Sequence, residues 1–161
     1  MKFRVAGATL LAALLAWQPA ASQVNEKFAD MTAEIELLRS VAQTERQAIV
    51  AKAMPLTDQE SAVFWPLYAE YRAAVARIND QLVKLITDYA AQRDTLTDAQ
   101  ADALLADYFA YERDLLNLRK KYVKRFAEAL PMIKATRFYQ IDNKLDSLRW
   151  LGLAREIPLA R

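Results

Sequence analysis

Two apolar seams with spacings of four and three residues constrain this chain more than any other feature. The first is Phe64, Tyr68, Tyr71, Val75, Ile78, Leu82, Leu85 and Tyr89; the second is Leu104, Tyr108, Tyr111, Leu115, Leu118 and Tyr122. Such spacing places every member on one stripe of an α-helix and fits packing against another helix. No segment alternates apolar and polar residues long enough to read as a strand. Glycine is confined to Gly7 and Gly152, and good helix formers dominate. The expected fold class is all-α, with four helices.

The first helix is expected from about Glu26 to Lys52, with Phe28, Met31, Ile35, Leu38 and Ile49 on one side; Met54-Pro55 ends it. The second runs from Asp58 to about Gln92 and carries Pro66 on its third turn, which removes a backbone donor and predicts a bend. The third runs from Asp98 to about Ala129, and the fourth from Pro131 to about Arg155, with Phe138, Ile141, Leu145 and Leu148 on one face. Helices two and three are each roughly 50 Å long at 1.5 Å per residue. The short joint from Arg93 to Thr97 makes them a long antiparallel hairpin. The bend at Pro66 makes that hairpin curved. A thin pair of helices cannot bury both faces alone, so a homodimer is expected.

Each long helix opens on a related phrase, Leu56-Thr57-Asp58-Gln59-Glu60 and Leu96-Thr97-Asp98-Ala99-Gln100. Thr57 and Thr97 stand where N-caps belong, and Glu60 and Gln100 stand three residues on, as a capping box requires. Asp58 and Asp98 place negative charge in the first turn, where the helix dipole favours it.

Residues 1–22 have the layout of a secretory signal: Lys2 and Arg4, an apolar run from Val5 to Trp17, then small residues ending at Ser22. The run is short for a bilayer, which favours cleavage over an uncleaved anchor. Residues 23–161 are then the single folded domain, exported and without a membrane span. The whole chain has 22 Lys+Arg and 20 Asp+Glu. Lys2 and Arg4 leave with the signal, so the remainder is formally neutral and gives no basis for nucleic-acid binding. Cys and His are both absent. That removes disulfides, the commonest transition-metal ligand and the usual general base. No glycine-rich phosphate loop occurs. Acidic residues lie among basic ones, as in Glu112-Arg113-Asp114, and read as solvated, ion-paired faces. No enzyme, cofactor or metal site is expected.

A secreted four-helix chain with two such phrases resembles the LTxxQ family of periplasmic proteins, the Spy/CpxP group. The second phrase matches the motif in full, and the first departs by ending in Glu60. The likeness covers most of the domain in layout but only about ten residues in motif. It implies a periplasmic, ATP-independent chaperone or envelope-stress adaptor. Such a protein would be a curved dimer holding unfolded or partner proteins on an apolar face with basic residues around it. The absence of His departs from the group's metal-binding members. The same fold equally suits a dedicated module that regulates one sensor kinase or anti-sigma factor without general chaperone activity.

Candidate surface residues come from outside the seams. Leu105, Phe109, Leu116 and Val123 form an interrupted stripe one position beyond the seam of helix three, and Arg119, Lys120 and Lys124 cluster near its end. Either that stripe packs on helix one or four, or it stands open as a binding face. Trp65 and Trp150 also fall off the seams, and tryptophan is favoured at contacts with partners.

Overall fold

The computed structural model describes residues 42–160. The expected signal segment, and the expected first helix up to residue 41, lie outside the described residues. By contacts the chain divides into Met1–Gln47 and Ala48–Arg161. Of the first unit only residues 42–47 are described, and they are helical. Helical backbone (α1) continues through residue 53. There follow α2 (Asp58–Gln92), a single 3-10 turn (Arg93–Thr95), α3 (Asp98–Ala129) and α4 (Met132–Glu156). The protein is all-α, and no strand occurs among the described residues.

Both capping boxes form. The Thr57 hydroxyl accepts from the Glu60 N–H at 3.3 Å, while Glu60 accepts from the Thr57 N–H at 2.7 Å. Thr97 and Gln100 repeat the exchange at 3.3 and 2.9 Å. Each box satisfies donors that the first helical turn would otherwise leave open. Thr57→Ala and Thr97→Ala are each expected to cost about 1 kcal/mol in urea unfolding. A negligible loss at both would mean that water serves these helix starts equally well.

Pro66 sits within α2. Pro131 is the N-cap of α4, so the helix begins at Met132, one residue after the expected start, because the Pro131 ψ of 136° is not helical. Its carbonyl nevertheless accepts from the Lys134 and Ala135 N–H groups and so begins the helix.

Helices α2 and α3 run in opposite directions. Phe64 meets Phe126, Tyr71 meets Tyr122, and Asn79 receives the Tyr111 hydroxyl. The seams bury most of their members, with Tyr71, Val75, Tyr111 and Leu115 nearly inaccessible. An aromatic cluster forms where the start of α2, the end of α3 and the start of α4 converge. There Phe64, Phe126 and Phe138 lie with ring centroids 4.5–5.5 Å apart, beside Val50, Met54 and Leu130.

Of the expected inner face of α4, Phe138 is buried and Ile141 and Leu145 pack half-buried against the core, but Leu148 does not. Leu148 is 65% exposed, whereas Asp142 and Asp146 are buried. The face that meets the other helices therefore runs through Ala135, Phe138, Asp142 and Asp146. Asp142 and Asp146 occupy that face because Arg72 and Arg119 pair with them there. These two acids also depart from the expectation that the carboxylates are solvated.

Candidate functional site

Beyond the aromatic cluster lies a layer of polar contacts that ties the three helices together. Tyr71 donates to Asp142 at 2.7 Å, and Arg72 lies 3.5 Å from the same carboxylate. Arg119 of α3 pairs with Asp146, one turn further along α4. Tyr122 donates to Glu70 at 2.8 Å, and Arg125 grips both Glu70 oxygens. A charged group buried in a helix bundle persists only with such partners, because desolvation opposes its ionised form.

The electrostatics follow from these contacts. Burial, with the Asp142 carboxylate beside it, pushes the Tyr71 hydroxyl well above the ordinary phenol value. The Arg125 guanidinium, helped by the Tyr122 hydroxyl, holds Glu70 down at about 2. The contribution of a carboxyl lowered in this way is present above its unfolded value and is lost as pH falls through the folded one. The Glu70 pair therefore persists through mild acid. Glu60 is also lowered, first by the Lys134 ammonium and then by the Thr57 N–H. Here the departure of the first phrase from its motif finds a use. Glutamate at this position closes the capping box and also pairs with α4 through Lys134.

None of these groups forms a recognisable reaction centre. Burial accounts first for the Tyr71 shift and the Arg125 pair for that of Glu70, and no cluster of three or more potential metal ligands occurs among the described residues. No described helix is long and apolar enough to cross a membrane.

The candidate surface residues separate into three groups. Leu105, Phe109 and Leu116 stand open on α3, with exposures of 56%, 64% and 48%. Lys120 and Lys124 are exposed toward the end of the same helix, and Val123 between them is half-buried. Arg119 does not belong to a basic rim. Its side chain is only 19% exposed and faces Asp146, because the buried carboxylate draws the guanidinium inward. The two tryptophans are half-buried. Trp65 meets Phe64 and Tyr68 edge-on at 5.0 and 5.5 Å, and Trp150 lies 6.3 Å from Tyr111 with Arg149 over its ring.

A feature that the seams did not announce lies at the opposite end of α2 from the aromatic cluster. An apolar cleft of about 370 Å³ opens there, lined among others by Leu85, Tyr89, Leu104, Leu105, Tyr108 and Trp150. The tail completes it: Ile157 and Ala160 beyond α4 also line it, and the Tyr89 hydroxyl donates to the Pro158 carbonyl at 2.9 Å. No family model, curated protein or solved structure matches this chain.

Proposed function

We propose that this protein is a periplasmic, ATP-independent chaperone or envelope-stress adaptor of the LTxxQ type, binding unfolded or partner proteins on α3. One observation carries the reading. Leu105, Phe109 and Leu116 expose large apolar side chains along one helix, with Lys120 and Lys124 beyond them. Exposed apolar side chains grouped in this way mark contact surfaces, whereas scattered ones do not. Apolar contact would supply affinity, and the lysines would speed encounter with acidic segments. In this reading α2 and α3 act as a curved hairpin, bent at Pro66, and a second copy of the chain completes a dimer. The signal segment directs export.

The test is aggregation of an unrelated, thermally unfolding enzyme, followed by light scattering without ATP at an equimolar ratio. Wild type is expected to suppress scattering. The double variant Phe109→Ser/Leu116→Ser should lose most of that effect while its melting temperature stays close to wild type, since exposed substitutions usually shift stability by less than about 0.5 kcal/mol. Trp65→Ala is a poorer probe because Trp65 packs on Phe64 and Tyr68. A wild-type chain that leaves scattering unchanged but captures a single sensor domain would favour the dedicated regulatory module.

A further inference from the structure

We propose that the cleft at the far end of α2 is a binding site for a single-chain fatty acid. The chain would lie among the apolar side chains and the carboxylate would sit at Arg93.

Two independent observations support this. The first is the cleft itself. At about 370 Å³ it falls at the lower end of the range of small-molecule pockets, about 300–1,000 Å³, which suits one acyl chain rather than a two-chain lipid. Leu82, Leu85, Ile86, Leu96, Leu104 and Trp150 surround it with carbon. The Tyr89 hydroxyl at its wall is already committed to the Pro158 carbonyl. A cleft of this composition favours a hydrocarbon and offers little to a sugar, a nucleotide or a polar peptide.

The second observation concerns Arg93. Its Nε is buried and meets no hydrogen-bond acceptor among the described residues. A buried donor without a partner carries an uncompensated desolvation cost, larger on a charged group, so it calls for an explanation. Arg93 follows Tyr89 by four residues, and its φ of −50° and ψ of −41° continue the helix. Arg93 is not itself among the residues that line the cleft, but Tyr89 four residues before it and Leu96 three residues after it are, which places it beside the cleft in the chain. An anionic headgroup would satisfy the orphaned donor with a charge-assisted bond, and a carboxylate matches the guanidinium in geometry.

This inference does not rest on the client-binding reading: the two surfaces share Leu105, but Phe109 and Leu116 lie outside the cleft. The test is titration calorimetry of the full chain with dodecanoate below its micellar concentration, and with dodecanol as the same chain without the charge. Dodecanoate is expected to saturate at one molecule per chain and to bind at least tenfold tighter than dodecanol. Arg93→Gln should remove that difference and leave dodecanol binding unchanged. Ala101→Phe and Ala160→Trp, which place bulk in the cleft from α3 and from the tail, should each weaken both ligands at least tenfold. Circular dichroism melts would confirm folding, and Ala160 lies outside any helix, so at least that variant should fold. Phe109→Ser should bind dodecanoate as wild type does. Absence of saturable binding, equal affinity for the two ligands, or binding untouched by both filling variants would overturn the assignment.

Discussion

Asp142→Ala is expected to lower the stability of this protein by about 3 kcal/mol, the lower end of what breaking a buried ion pair costs. Asp142 is 1% exposed. The substitution leaves the Tyr71 hydroxyl, itself buried, without its acceptor, and it leaves Arg72 without its carboxylate. The Arg72 side chain is 17% exposed and can recover some hydration, which is why the lower figure applies. Asp142→Asn keeps an acceptor for Tyr71 and should cost less. The paired change Tyr71→Phe/Asp142→Leu removes hydroxyl and carboxylate together, so it should cost less than Asp142→Ala alone. Urea unfolding of the three variants, with equal m-values, checks the ranking. A loss under 1 kcal/mol for Asp142→Ala would show that α4 is held by its apolar contacts and not by its carboxylates.

That prediction marks where the sequence was hardest to read. The seams of α2 and α3 were legible because a periodic stripe of Leu, Val and Tyr has one inexpensive use, burial against a like stripe. The starts of both helices were legible because a capping box is local and its partners lie within three residues. Helix α4 obeys neither rule. Its buried face is half acidic, and an aspartate in a helix carries no mark of whether an arginine two helices away will reach it. Arg119 was misplaced for the same reason. Its partner Asp146 lies 27 residues further on, and only the packing of α3 on α4 brings them together. Glu60 shows the opposite case. Its departure from the motif was visible, but its reason, Lys134 of α4, was not. The cleft was hidden because its wall is completed by the tail around Ile157 and Ala160, which has no periodicity of its own. The open stripe was half legible. Its helical spacing could be read, but the choice between packing and exposure depends on where α4 lies.

Phe126→Ala and Phe109→Ala place the same substitution on the same helix and are expected to differ by about 3–4 kcal/mol. Phe126 is 2% exposed, with ring centroids 5.5 Å from Phe64, 6.0 Å from Tyr71 and 4.5 Å from Phe138. Removing its ring takes apolar surface from the interior and leaves a cavity that three aromatic neighbours, fixed by their own packing, fill poorly; such truncations cost about 3–5 kcal/mol. Since a domain is typically stable by only about 5–15 kcal/mol, this variant would be folded but close to its limit at ordinary temperature. Phe126→Leu should recover most of the loss, because it keeps apolar bulk and forfeits mainly the ring contacts. Phe109 is 64% exposed, so its truncation should change stability by less than about 0.5 kcal/mol. The contrast separates the two roles of aromatic residues on α3, one holding the helices together and one left outside that packing. If Phe109→Ala destabilised the chain as strongly as Phe126→Ala, the Phe109 ring would be buried in solution, by a second copy or by another part of the chain. The open face proposed for client binding would then be an interface already occupied. Repeating the melts across a hundredfold range of protein concentration distinguishes these cases, because only stabilisation by a second copy depends on concentration.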